Sequence, residues 1–116
     1  MIQPSYVYKA RITNVVDGDT VDAVVDIGFR LSAMLRLRLA RVDTAELNAT
    51  DPAIRVAAVN SKAFVVGAVL DKEVVVETKK ADSFGRYLAE VYYVIDGLQH
   101  NLSDDLLAAG MAIPYK

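Results

Sequence analysis

From Leu35 to Leu39 the chain reads Leu-Arg-Leu-Arg-Leu, a period of two residues that admits an extended strand with one apolar and one cationic face. This reading sends the leucines into a core and turns Arg36 and Arg38 outward. Just beyond the alternation stand Asp43, Thr44 and Glu46, so carboxylates follow guanidinium groups at one sheet edge. Scattered Lys or Glu would give solubility. Arginine adds a planar fork that matches a phosphate or carboxylate with two donors at once.

The flanking sequence extends the strand into a meander. Tyr6 to Val16, rich in Val, Ile, Tyr and Thr, reads as a first strand. The turn Asp17-Gly18-Asp19-Thr20 follows, and Thr20 to Ile27 reads as a second strand. Gly28 and Phe29 open the next connection, and the strand containing Leu35 comes third. Three consecutive strands should bring the turn within reach of the third. Asp and Gly are ordinary turn formers, so the turn alone carries no function.

After Asp51 the period becomes helical. Asp51 is placed as an N-cap with Pro52 at the first helical position. Val56, Val59, Ala63, Val66 and Leu70 recur at spacings of three and four and are expected to form the buried stripe, with Phe64 beside them in the core. Gly67 and several valines weaken intrinsic helicity, so this helix should depend on docking against the sheet. Glu73 to Thr78 resumes strand composition, residues 79–85 read as a polar loop, and Arg86 to Ile95 as the last strand. Asp96-Gly97 is a hairpin-type turn. Ser103 is expected to cap a short helix with Asp104 and Asp105 in its first turn, and Gly110 to end it. The pattern describes one α+β domain over residues 1–116: five strands on a closed or nearly closed barrel, a helix between strands three and four, and a short C-terminal helix.

Composition removes several classes of function. Hydrophobic residues make up 53% of the chain, which excludes a disordered one, and the absence of cysteine excludes disulfide staples and thiolate metal sites. A net charge of −2 excludes affinity built on overall phosphate neutralisation, so any nucleic-acid contact must rest on a local arginine cluster. Without a basic leader followed by an apolar run, and with no stretch read as a membrane span, the expectation is a cytoplasmic protein with no membrane partner. No obligate protein partner is evident.

Taken together, Asp17-Gly18-Asp19-Thr20, Arg38, Val42-Asp43-Thr44-Ala45-Glu46 and Phe84-Gly85-Arg86 resemble the thermonuclease family, in matching order and approximate spacing from about Lys9 to Ala112. Each segment alone is weak, and four in register are not explained by independent turn chemistry. The resemblance implies a five-stranded OB-type barrel. It also implies a calcium-dependent phosphodiesterase that cuts single-stranded or frayed DNA or RNA with little base preference and leaves 3′-phosphates. By position, Asp19 and Asp43 then correspond to carboxylate ligands of Ca2+, and Thr44 to a ligand through its main-chain carbonyl. Glu46 corresponds to the base acting on water, and Arg38 and Arg86 to the pair gripping the phosphate. Ala45 replaces the family's usual proline, Phe84 a tyrosine and Ser83 a lysine, which points to a weaker grip on substrate.

The residue types suit that chemistry. Calcium takes oxygen ligands in flexible geometry, and preoriented guanidinium groups stabilise charge that develops at phosphorus. Each residue also has a plainer reading. Arg36, Arg38 and Arg86 could be solvated surface charges, and Asp43 and Glu46 turn or cap residues. Asp17 is either a support for the metal ligands or a turn former. His100 stands apart from any expected acid and is given no chemistry. Tyr115 is a candidate stacking surface for a base. The alternative function is a non-catalytic OB- or Tudor-type module that binds nucleic acid or protein.

Overall fold

A computed structural model describes residues 1–81 and 87–115. In chain order it contains β1 (Val7–Asp17), β2 (Thr20–Gly28), β3 (Leu31–Leu39), β4 (Val42–Asp43), α1 (Pro52–Val69), β5 (Glu73–Ala81), β6 (Tyr87–Ile95), β7 (Leu98–Asn101), α2 (Leu102–Ala108) and β8 (Ile113–Pro114). β1, β2 and β3 form the expected antiparallel meander, and β5 pairs with the free side of β1 and with β6. A parallel ladder from Leu37↔Tyr87 to Leu39↔Ala89 joins β3 to β6 and closes the ring. The result is a mixed five-stranded barrel with two helices, an OB-type fold.

The barrel interior is filled by the inward residues of each strand. Ile12, Val21, Leu37, Leu39, Val76 and Val91 are fully buried, together with Leu102 and Leu106 from α2. Beyond the closure, β6 continues into a hairpin whose turn residues Asp96 and Gly97 have φ of 52° and 79°, the sense that suits the twist of two adjoining strands. That hairpin adds β7 outside the barrel. Lys79, Lys80 and Ala81 extend β5 where a loop was expected.

α1 begins as read from sequence, with the Asp51 carboxylate accepting from the amide of Ala53 and Pro52 opening the first turn. Its buried face is not the expected one. Ala58, Ser61, Val65 and Val69 are buried, whereas Val56 and Val59 are 60% and 57% exposed, Ala63 is exposed, and Val66 and Leu70 are half-buried. A helix made of Val and Ala nearly all round fits more than one stripe, and packing selects the one where small residues permit close approach. Phe64 packs on the edge of the core as expected. By length and composition alone, 18 residues of mean hydropathy 1.3, α1 is also apolar enough to cross a membrane, contrary to the expectation that no stretch approached a span. In this fold its inner face lies against the barrel.

α2 is capped by Asn101, whose side chain accepts from the amide of Asp104; Ser103 sits inside the helix and donates to the carbonyl of Ala40. Asn101 wins the cap because Leu102 must begin the helix to enter the core. At the other end Gly110, at φ 70°, lets its own amide reach Leu107 and that of Met111 reach Leu106, closing the last turn as expected. His100 does have an acid. Its Nδ1 lies 2.8 Å from Asp105, which also accepts from the Tyr93 hydroxyl, because the β6–β7 hairpin folds back on α2.

Candidate functional site

The meander brings the first turn to the end of β3. Thr20 pairs with Arg38 across the β2–β3 ladder, and the amide of Leu39 donates to the carbonyl of Asp19 at 2.8 Å. Gly18 is required here by space. A Cβ on it would stand 2.7 Å from Ser61 Cβ and 2.9 Å from Thr44 Oγ1, so the turn is wedged between α1 and the residue following β4. This seating fixes Asp19, which is 7% exposed.

Every oxygen of the Asp19 carboxylate is engaged. Oδ1 accepts from the Thr20 hydroxyl at 2.9 Å, and Oδ2 accepts from the Thr44 amide at 3.1 Å and lies 3.4 Å from Arg38 Nη2. Burial pushes Asp19 up, but hydrogen bonding to Asp17, the Thr44 amide and the Arg38 charge outweigh it and hold the group below the usual carboxylate range. Asp17, whose Oδ1 accepts from the Asp19 amide, is pushed up to about 6 by burial and by the neighbouring Asp19 carboxylate. Of the pair, Asp17 is therefore the one that first takes a proton.

Arg38 does not look outward. It is 6% exposed, because β3 turns into the barrel mouth before the alternation ends and Ala40 follows it inside. Its Nη1 donates to the carbonyls of Leu39 and Val42 at 2.8 and 2.7 Å, stitching the β3–β4 turn, while Nη2 reaches Asp43 at 3.3 Å. Tyr115 lies against the guanidinium, with the ring centroid 5.3 Å from Cζ. Arg36, by contrast, is exposed and pairs with Asp22 through two bonds of 2.8 and 3.1 Å, an ordinary surface pair.

Asp43 is held in place by β4, which pairs with β8 as Val42↔Pro114 and Asp43↔Ile113. Neither short strand was anticipated, since two residues carry no period. Thr44 is 7% exposed, and its hydroxyl is buried without a hydrogen-bond partner among the described residues. Glu46 is exposed at the rim of a cavity of about 570 Å³, whose lining also includes Asp43, Thr44 and Ala45. The fold thus brings Asp19, Arg38, Asp43 and Thr44 into direct contact and leaves Glu46 at the edge of the same region. Arg86, with Ser83 and Phe84, lies outside the described residues.

Two carboxylates on one guanidinium nitrogen, beside an unsatisfied hydroxyl, make a hard-oxygen donor set. Among the described residues no three His, Cys, Asp or Glu side chains cluster to hold a metal ion by themselves. A cation here would draw on Asp19, Asp43, an oxygen of Thr44 and water, a mixture that fits calcium and does not suit zinc. The unpartnered Thr44 hydroxyl supports the fit, since a buried polar group left unmet is costly unless something completes it.

Sequence reasoning missed Ser61, which donates to the carbonyls of Met111 and Ala57 at 2.7 and 3.0 Å and backs the Gly18 turn. A serine within an apolar helix was the available signal.

A family model described as staphylococcal nuclease homologue matches residues 36–116. The match takes in Arg38, Asp43, Thr44, Glu46 and Arg86; the Asp17–Asp19 turn lies before it. No curated protein matches the chain.

Proposed function

The chain belongs to the family of staphylococcal nuclease homologues, and from that premise we propose that it is a calcium-dependent phosphodiesterase that hydrolyses DNA or RNA with little sequence preference and leaves 3′-phosphate ends. The observation that carries the reading is the meeting of Asp19, Arg38 and Asp43 at one guanidinium nitrogen, 3.4 and 3.3 Å from the two acids. A structural arginine would be satisfied by the two carbonyls that hold Nη1. The second nitrogen instead joins two carboxylates at the barrel mouth.

In this reading Asp19, Asp43 and Thr44 hold the calcium ion, which when bound polarises the phosphoryl group and orients water. Arg38 is anchored at Nη1 by the Leu39 and Val42 carbonyls, and Nη2, which pairs with Asp19 and Asp43, would pass to the phosphate once calcium holds those acids, stabilising charge that grows in the transition state. Arg86 supplies a second fork. Glu46 takes the proton from the attacking water, a role its open position at the cavity rim permits. Tyr115, stacked against Arg38, offers an aromatic face to a base of a single strand.

One observation favours the alternative, a binding module that does not cut. Nη1 of Arg38 is wholly committed to main-chain carbonyls, which leaves half a fork for substrate. Incubating single-stranded DNA with the protein, in calcium and in chelator, separates the two. The phosphodiesterase reading expects cleavage that stops in chelator, and a Glu46→Gln protein that binds the strand yet cuts roughly 10²–10⁴-fold more slowly. Binding without cleavage at high protein and calcium overturns it in favour of the module, and full activity in Glu46→Gln removes the assigned base.

A further inference from the structure

The stripe that α1 turns away from the barrel is the more regular of its two faces. Val56, Val59, Ala63, Val66 and Leu70 recur at spacings of three, four, three and four, the repeat of a helix that packs on another helix. Packing within the chain leaves this stripe largely unused. Val56 and Val59 are 60% and 57% exposed, Ala63 is exposed, and Val66 and Leu70 are only half-buried. None of the five lines the cavity beside Glu46. Gly67 adds an independent sign. A glycine inside a helix weakens it, and a Cβ at Gly67 would meet nothing within 4 Å among the described residues, so the chain's own packing does not call for one.

We propose that this face of α1 docks a second copy of the chain, the two helices running antiparallel about a two-fold axis at Ala63. The order of the residues names the occupant. Counted from Ala63, a valine lies three or four residues to either side and a branched aliphatic seven residues to either side, so the stripe complements its own reverse. Antiparallel pairing sets Val59 over the hollow bounded by Ala63, Val66, Gly67 and Leu70 of the second copy, and the missing side chain of Gly67 makes room for it. Ala63 meets its own copy on the axis, where a small side chain lets the helices approach. Charge selects the same orientation. No acid lies between Pro52 and Leu70, so parallel helices would set Arg55 beside Arg55. Reversal carries Arg55 to the level of Asp71, just past the end of the other helix, and opposes the two helix dipoles. Lys62 and its copy flank the axis, and their flexible stems let the ammonium groups part. Eighteen residues make a helix about 27 Å long, and a seam of that length buries roughly 500–600 Å² in all, below the roughly 1,000 Å² of a lasting complex. The dimer is therefore weak and reversible, with a dissociation constant between about 1 μM and 1 mM.

Because the chain has no cysteine, single cysteines introduced into the full chain report the geometry. Mild oxidation of Ala63→Cys should link two chains, since the axis brings the two thiols together. Val56→Cys, also exposed, should stay unlinked, since reversal holds the two copies of residue 56 about 21 Å apart along the helices. No linkage at Ala63→Cys, or linkage at both positions as parallel helices or indiscriminate sticking would give, overturns the proposal. In sedimentation of the unsubstituted chain the dimer should grow with concentration across the same range. Gly67→Gln should weaken it roughly tenfold by filling the hollow, while raising the melting temperature of dilute protein, since glutamine favours a helix and the space about Gly67 is open. A Gly67→Gln chain that dimerises as well as the parent overturns the pairing. So does a chain that stays monomeric at about 1 mM, and if that monomer floats with vesicles of phosphatidylcholine and phosphatidylserine, the stripe is a membrane face instead. None of these readouts needs cleavage, so the proposal stands or falls apart from the phosphodiesterase reading.

Discussion

Arg38 carries two duties, and its residue type matters to both. The fork spans the Leu39 and Val42 carbonyls with one nitrogen and the Asp19 and Asp43 carboxylates with the other. Lysine keeps the charge but brings one nitrogen where two are needed. Arg38→Lys is expected to lose roughly 1–3 kcal/mol in urea unfolding, since buried carbonyls or carboxylates go unmet, and to lose cleavage as well. A variant as stable as the parent would show that the carbonyl contacts hold nothing together. Gly18 offers a second test at this scale. Gly18→Ala drives a methyl group into Ser61 and Thr44 and should cost roughly 1–3 kcal/mol, as overpacking does. Because the turn carries Asp19, calcium stabilisation of the thermal transition should shrink with it; an unaltered melting temperature with and without calcium would rule out the wedge. The sequence shows why a glycine suits a turn. It cannot show that this one is needed because α1 and Thr44 press on it, and the exposure expected of Arg38 failed for the same reason: depth is set by what arrives from elsewhere in the chain.

At the scale of elements, strands were the more legible. An alternation of apolar and polar residues has only two phases, and the ladder from Thr20↔Arg38 to Asp26↔Ser32 keeps the phase that the leucines imply. The cap of α1 was legible too, since Asp51 and Pro52 act locally. Its inward face was not. With apolar side chains nearly all round, the helix could rest on either of two stripes, and the choice fell to Ala58 and Ser61, whose small volume admits the barrel wall and the Met111 carbonyl. Urea unfolding of paired truncations reads the choice directly. Val65→Ala, at a fully buried site, should cost roughly 2 kcal/mol through lost burial and a residual void, while Val59→Ala, at a site 57% exposed, should stay within about 0.5 kcal/mol. The reverse order would restore the stripe first read from the sequence. β4 and β8 lie at the far limit of legibility, because a pair of two-residue strands exists only after the barrel and α2 have placed their ends together.

At the scale of the whole molecule, one clasp ties the end of β3, the barrel wall and α2 to each other. Arg41, held at φ 69°, donates Nε and Nη2 to the two oxygens of Glu90, both at 2.8 Å, and Nη1 to Asp104 at 2.9 Å. Such a backbone angle is costly for a residue with a side chain and persists where the surroundings over-determine it. The Arg41 carbonyl also accepts from Tyr115, so the clasp anchors the segment that lies over Arg38. Glu90 is 5% exposed, and hydrogen bonds from Arg41 hold its carboxyl below its ordinary value near 4.5, against the opposing effect of burial. A folded-state pKa lower than the unfolded one means that the unfolded chain binds the proton more readily. The stabilisation is then complete above about pH 4.5 and drains away as pH falls through the lower, folded value. Glu90→Gln removes the titrating group and keeps the shape. In urea unfolding from pH 7 to pH 3, its deficit relative to the parent should be constant at neutral pH and should narrow below about 4.5. Two curves that run parallel down to pH 3 would mean that Glu90 gains nothing from its charge. Arg41→Ala should be the harsher change, costing about 1.5–3 kcal/mol at pH 7, because it strips a buried carboxylate of both charged donors and leaves only the weaker influence of Lys79, while the 46% exposure of the Arg41 side chain keeps the loss below that of a fully buried pair. The excess over Glu90→Gln should vanish in acid, once protonation discharges the stranded group.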